Sequence, residues 1–110
     1  QIEICKYLVE RCNVDVNAED DDGLVPLHES ARTGCLDVCQ YLIESCSVDL
    51  DTVDVWGNTP LHYAATTGQV EICKYLIESC NVDVNVKDDV GRTPLHHAAI
   101  NGNIEICKYL

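Results

Sequence analysis

At 110 residues, 46% hydrophobic and 24% charged with three prolines and six glycines, the chain is long enough to bury one core but not two, and has the composition of a folded globular protein. Nineteen acidic against seven basic side chains give a formal net charge of −12. That disfavours nucleic acid and membrane surfaces, which are held by lysine and arginine, and no run approaches the ~18–20 apolar residues of a membrane helix.

Residues 1–22 contain Ile4-Cys5-Lys6-Tyr7-Leu8 and Asn13-Val14-Asp15-Val16-Asn17, then the acidic run Glu19-Asp20-Asp21-Asp22. Both motifs return. The first becomes Val38-Cys39-Gln40-Tyr41-Leu42, Ile72-Cys73-Lys74-Tyr75-Leu76 and Ile106-Cys107-Lys108-Tyr109-Leu110, and the second recurs at 47–51 and 81–85, always 34 residues on. Gln1 aligns with Gln69 at the start of a second helix, so the stretch reads as half a unit. The acidic run before Gly23 superficially resembles a calcium loop, but Ala18 would fall at its first ligand position and Pro26 at another, so calcium is not expected.

Residues 23–56 open on Gly23-Leu24-Val25-Pro26-Leu27-His28, a looser version of Gly57-Asn58-Thr59-Pro60-Leu61-His62 and Gly91-Arg92-Thr93-Pro94-Leu95-His96. Residues 57–90 give the clearest unit. Gly57 supplies a turn, Thr59 is a good N-cap, and Pro60 takes the first helical position, where its missing N–H costs nothing. This predicts a short helix through Leu61, Ala64 and Ala65 to about Thr67, ended by Gly68. A second helix is predicted over roughly Val70 to Ser79, with Val70, Ile72, Cys73, Leu76, Ile77 and Cys80 in an apolar arc of about 160°. Glu71, Lys74 and Glu78 lie opposite, on a solvated face with weak i,i+3 and i,i+4 pairing. Asn81 through Val90 form an extended connection to the next turn. Residues 91–110 start another unit and stop within its second helix. Helices this short are marginal alone, so each pair must bury its stripe against its neighbours, which is the logic of a solenoid.

Gly-x-Thr-Pro-Leu-His-x-Ala-Ala, the helix-ending Gly68 and Asp83-Val84-Asn85 resemble the ankyrin-repeat signature over essentially the whole chain. The resemblance implies an all-α fold, an ankyrin-repeat solenoid of stacked helix-turn-helix units joined by extended β-turn loops. Its single domain, 1–110, divides into a partial repeat 1–22, repeats 23–56 and 57–90, and a partial repeat 91–110, a segment of a longer array. The sequence departs from the pattern in three places. The period is 34 rather than the usual 33. Cys80 with Asn81 stands where a helix-ending glycine is usual, and Asn81 can adopt the left-handed conformation such an end needs. Val25 replaces the capping threonine, at a cost of about 1 kcal/mol to its helix.

Of the eight cysteines, seven follow the period, Cys5, Cys39, Cys73 and Cys107 at one core position and Cys12, Cys46 and Cys80 at another. Equivalent positions in stacked helices lie about 8–10 Å apart, beyond the ~7 Å reach of a disulfide, and two cysteines seven apart on one helix are separated by about 10 Å of rise. These seven are expected to be reduced, small core residues. Metal is not expected, since no CxxC pair occurs. Reduced thiols imply a reducing compartment, the cytoplasm with the nucleus as the alternative. Cys35 escapes the period, its counterparts being Gln1, Gln69 and Asn103. It stands at a helix start, where the dipole can lower a thiol pKa; an exposed cysteine without a role is the expectation and a reactive one the alternative.

His28, His62 and His96 recur with the period, so their role is one that each unit shares. The resemblance implies a structural histidine hydrogen-bonded to the Thr59 or Thr93 hydroxyl. His28 lacks that hydroxyl because of Val25, so 23–56 is expected to be the least protected complete unit. His97 is unique to the last unit and expected to be exposed. Neither a nucleophile beside a base nor a phosphate-cradling loop nor a metal triad appears in the sequence, so neither catalysis, cofactor nor small-molecule substrate is expected.

Repetition encodes the scaffold, and recognition is therefore sought where repetition fails on the shared face. The resemblance places that face on the turn tips and the exposed side of each first helix. Carried over by position, it comprises Asp21, Asp22, Leu24, Arg32 and Thr33 in the first complete unit. The next contributes Val55, Trp56, Asn58, Thr66 and Thr67, and the last Asp89, Val90, Arg92, Ile100 and Asn101. Trp56 stands where the other units have Asp22 and Val90, so the core needs no large ring there, and tryptophan is enriched among interface anchors. The acid-rich tips around Asp20, Asp21, Asp22, Asp88 and Asp89 point to a partner protein with lysine or arginine on its surface, ordinary solubilising charge being the alternative. The function expected is non-enzymatic protein binding; the alternative is the substrate-targeting array of a larger enzyme.

Overall fold

Each first helix starts at a proline that follows an extended residue. Val25, Thr59 and Thr93 have φ of −99°, −92° and −93°, and the helices α2 (Pro26–Thr33), α4 (Pro60–Thr66) and α6 (Pro94–Ile100) begin directly after them. In the computed structural model, which describes residues 2–110, these alternate with second helices α1 (Ile2–Cys12), α3 (Leu36–Cys46), α5 (Val70–Lys74, continued as a π-helix over Tyr75–Ser79) and α7 (Ile104–Tyr109). Gln1, the expected start of a second helix, lies outside the described residues. No strand occurs among the described residues.

The second helices end without glycine. Asn13, Ser47 and Asn81 take the left-handed conformation at φ of +57°, +54° and +57°. The next amide then reaches back to a carbonyl six residues earlier, Val14 to Leu8, Val48 to Leu42 and Val82 to Leu76, at 3.3, 3.3 and 3.1 Å. That reach satisfies a carbonyl the helix end would orphan and accommodates the extra residue of each unit. In α5 the last turn widens as well, to the π form that an inserted residue produces.

First helices stack on first helices and second on second, in a slab of 41 × 25 × 21 Å. Ala31, Ala64, Ala65 and Ala98 are fully buried, which lets the first helices approach closely, while Leu27, Leu42, Leu61, Ile72, Leu76 and Ile106 fill the space behind them at 0–1% exposure. Each of these large side chains contributes roughly 1.5–3 kcal/mol of apolar burial.

The outer face of the second helices differs from expectation. Lys74 and Glu78 do not pair along their own helix. Lys74 lies 5.8 Å from the centre of the Tyr109 ring, and Glu78 accepts the Tyr109 hydroxyl. The same contact joins Tyr41 to Glu10 at 2.8 Å and Tyr75 to Glu44 at 2.6 Å, so it is a ladder between neighbouring units. A tyrosine reaches one unit back, which side-chain spacing along a single helix does not reveal.

The cysteines also divide differently. Cys39 and Cys73 are fully buried, and burial pushes their thiols up to about 11 and about 12, which keeps them protonated. Cys5, Cys46, Cys80 and Cys107 are half-buried, and Cys12 is exposed, because it sits on the last turn of α1, where no described element packs over it. Cys35 is half-buried rather than exposed, at the N-cap of α3 with the Thr33 hydroxyl 3.5 Å from its sulfur.

Candidate functional site

The turn tips are built around an aspartate that repeats with the period. The Asp54 carboxylate accepts the amides of Trp56 and Asn58, both at 2.9 Å. Asp20 likewise accepts those of Asp22 and Leu24 at 2.9 Å, and Asp88 those of Val90 and Arg92 at 3.1 and 2.8 Å. Short Asp side chains favour such turns because they satisfy amides the loop would otherwise leave open. Asp20 and Asp88 are therefore scaffold. Asp20 is exposed and Asp88 half-buried, so each serves the loop as well as the acid-rich tip. The 34-residue recurrence of Asp20, Asp54 and Asp88 was the signal that could have shown it.

Successive tips are tied together by backbone. The Val55 amide donates to the Asp22 carbonyl and the Asp89 amide to the Trp56 carbonyl, each at 3.0 Å. A Cβ on Gly57 would stand 2.8 Å from the Asp89 amide nitrogen, and Gly57 has φ of +80°, so glycine is what lets these tips close on each other.

In two of the three units the second carboxylate oxygen ties the tip to its first helix. Asp54 accepts the Tyr63 hydroxyl. At the equivalent position in the next unit, His97 Nε2 lies 2.9 Å from Asp88 Oδ2, and in the preceding unit Glu29 turns away to Arg32 at 3.0 Å. The His97 side chain is 16% exposed, which corrects the expectation that it is exposed. Its ring packs edge-on to His62 with centroids 5.0 Å apart, and its Nδ1 lies 3.1 Å from the Thr66 hydroxyl.

The periodic histidines do what the resemblance implies, with one addition. His62 Nδ1 accepts the Thr59 amide at 3.1 Å and faces the Thr59 hydroxyl at 3.0 Å; His96 repeats this with Thr93. His62 Nε2–H then donates to the Arg92 carbonyl at 2.9 Å, joining one unit to the next. His28 lacks the hydroxyl but not every partner. The Val25 amide donates to its Nδ1 at 3.0 Å, and its Nε2 lies 3.1 and 3.0 Å from the carbonyls of Thr52 and Asn58.

His62, Asp88 and His97 bring potential ligand atoms within 4.8 Å of one another. They fit a metal poorly. With Nδ1 of His62 accepting an amide, its Nε2 carries the proton given to Arg92 and has no lone pair to offer. Burial holds His62 below its ordinary pKa, with His97 adding to the effect and the Arg92 carbonyl opposing it. For Asp88, burial acts to raise the pKa, but the Arg92 amide, His97 and the Val90 amide outweigh it and hold the carboxyl below the usual range.

The fifteen positions inferred from sequence fall into four groups. Thr33, Thr66, Thr67 and Asn101 use their polar atoms on nearby helix carbonyls, and Arg32 pairs with Glu29. Asp21, Asp22, Asp89 and Arg92 are exposed, with no side-chain hydrogen bond or ion pair among the described residues. Leu24 and Asn58 are half-buried, and Asn58 Oδ1 is enclosed without a partner. Val55, Trp56, Val90 and Ile100 are 57, 52, 74 and 64% exposed. Trp56, Asn58, Asp89, Val90, Arg92 and His97 line a cleft of about 310 Å3 between the tips. A larger apolar groove, about 340 Å3, lies between α1 and α3, with Ile4 and Leu8 on one wall, Val38 and Leu42 on the other, and Pro26 at its edge. Sequence reasoning did not indicate it.

Stacked helix pairs presenting a row of linked turn tips define a helical-repeat solenoid. The family model for ankyrin repeats in three copies matches residues 1–88 and again 46–110, and the chain belongs to the ankyrin-repeat family. Members of that family are generally protein–protein interaction modules. A comparison with curated proteins finds no match to the chain.

Proposed function

We propose that the chain is a non-enzymatic module that binds a partner protein through its turn tips and the exposed side of its first helices. One observation carries this reading. Trp56 is half-exposed on a tip whose backbone is fixed by Asp54 and by bonds to both neighbouring tips, with Val55 and Val90 exposed beside it. A large apolar ring held in water by a rigid loop is costly unless a partner covers it, and a preorganised anchor loses little entropy on binding. The exposed carboxylates of Asp21, Asp22 and Asp89 favour a partner with lysine or arginine at its rim. Periodic core thiols suit a reducing compartment such as the cytoplasm. The reading includes the repeat boundaries 1–22, 23–56, 57–90 and 91–110, and assigns no cofactor.

Affinity capture with the intact chain and with Trp56→Ala tests it. The variant should lose the partner by about 2 kcal/mol or more, the size of an interface hot spot. Equal capture by both would remove Trp56 as the anchor.

A further inference from the structure

We propose that His97 is a proton-operated latch that fastens the tip 88–92 to α6, so that this tip tightens when the imidazole takes up its second proton while the tip 54–58 does not respond. The hydrogen-bond donors around the ring are limited. Asp88 Oδ2, 2.9 Å from His97 Nε2, can only accept, so Nε2 carries a hydrogen. On the other side, the single proton of the Thr66 hydroxyl has two claimants, the His62 carbonyl at 2.9 Å and His97 Nδ1 at 3.1 Å. With neutral His97, Thr66 must choose between them. With the imidazolium, Nδ1–H donates to Thr66, Thr66 donates to the His62 carbonyl, and Nε2–H donates to the carboxylate. Every group is then satisfied, and the bond to Asp88 becomes charge-assisted.

The latch bears on the tip because Asp88 uses its other oxygen to hold the Val90 and Arg92 amides. Fixing one oxygen fixes the plane of the carboxylate and steadies both bonds. The charged and titratable groups around the ring are Asp88, Asp89 and Arg92 of the tip and His62 of α4. The two aspartates are negative and Arg92 positive; His62, kept neutral by burial, donates to the Arg92 carbonyl and adds no charge. No side chain of α7 bonds to His97 among the described residues. Asp88 stays ionised through mildly acidic pH, so its carboxylate remains an acceptor throughout. In the preceding unit Tyr63 makes the equivalent bond with a hydroxyl that burial and Asp54 push above the ordinary tyrosine range, so that contact does not titrate near neutrality.

Asp89, Val90 and Arg92 belong to the binding face proposed above, so an effect on partner affinity rests on that reading; the latch itself does not. The test therefore uses no partner. Amide hydrogen exchange of the labelled 110-residue chain is followed between about pH 7.5 and 5.5, where histidine ordinarily titrates, with rates corrected for intrinsic exchange. Protection of Val90 and Arg92, taken relative to Trp56 and Asn58, should rise about fivefold as pH falls, the difference between a neutral and a charge-assisted bond. His97→Tyr, which installs the side chain already accommodated at Tyr63, should abolish the rise, and His97→Gln should do the same if the tyrosine variant misfolds. No rise in the unaltered chain, or an equal rise in both variants, overturns the latch. Failure of the Trp56→Ala capture leaves this result untouched.

Discussion

Tyr63 donates its hydroxyl proton to the buried carboxylate of Asp54, nine residues earlier, and so ties α4 to the tip that carries Val55 and Trp56. The same ring meets His28 edge-on at 5.6 Å, so one side chain touches both the tip and the preceding first helix.

Tyr63→Phe keeps the ring and removes the donor. The buried Asp54 oxygen is then left without its partner, which should cost about 1–2 kcal/mol in urea denaturation and speed exchange at the Trp56 and Asn58 amides. Asp54→Ala, which also opens those two amides, should cost more. A Tyr63→Phe variant as stable as the parent would mean that the contact holds nothing.

Much of the scaffold was legible because it is local. Thr59, Pro60 and His62 make a helix start within four residues, and Asn81 makes a helix end by its own backbone preference. The tip-to-helix link was not. Asp88 and His97 are nine residues apart and meet only because a turn folds back on a helix, so His97 looked like an unrepeated and therefore exposed residue. Alignment of His97 with Tyr63 and Glu29 shows that the position always holds a polar side chain, the one trace of the link in the sequence. The tyrosine–glutamate ladder was hidden for a similar reason, since each partner lies in a different unit.

The buried His62 sets a pH dependence. Its folded pKa lies below the ordinary 6.5 because of burial, so below pH 6.5 the unfolded chain takes up a proton that the folded chain refuses. Stability should fall as pH drops through that range. Because the His97 latch acts in the opposite sense, the fall should be steeper in His97→Tyr and shallower in His62→Gln, read from denaturation midpoints. Asp88, held below its ordinary 3.8, contributes stability that is present above that value and lost as pH falls through its folded pKa. A midpoint that climbs on acidification in His97→Tyr would contradict the assignment to His62.

Ser47 occupies the left-handed position that asparagine fills at Asn13 and Asn81. Asparagine tolerates that conformation better than serine, so Ser47→Asn should stabilise the chain by about 0.5 kcal/mol or more. Thermal or urea midpoints check this, and an unchanged midpoint would mean that the strain is relieved elsewhere.

Asp21, Asp22 and Asp89 are exposed tip carboxylates that hold no amide, whereas Asp20 and Asp88 each accept two amides of their own loop. Association with a basic partner should therefore slow by about tenfold or more as salt rises to physiological strength and beyond, with little change in dissociation. Neutralising Asp21, Asp22 and Asp89 should flatten that dependence. Neutralising Asp20 or Asp88 should instead lower stability, because their oxygens hold amides.

Val25 is the point at which one unit departs from the other two. It is buried at 4% exposure and its amide still reaches His28 Nδ1 at 3.0 Å, so the defect is confined to the missing hydroxyl. In the other units that hydroxyl lies 3.0 Å from His62 Nδ1 and 2.8 Å from His96 Nδ1. Val25→Thr places a hydroxyl where His28 can meet it, so the polar group gained is not left unsatisfied, and the variant should gain about 0.5–1 kcal/mol as a repaired cap. Hydrogen exchange locates the effect. In the parent chain the amides of α2 should open before those of α4, and in the variant the gap should narrow. The inter-unit carbonyls of Thr52 and Asn58 bonded to His28 work against that difference, which makes the order of opening a measure of the cap against the cross-unit bonds. If α2 proves slower to open than α4 in the parent, the cross-unit bonds outweigh the lost cap.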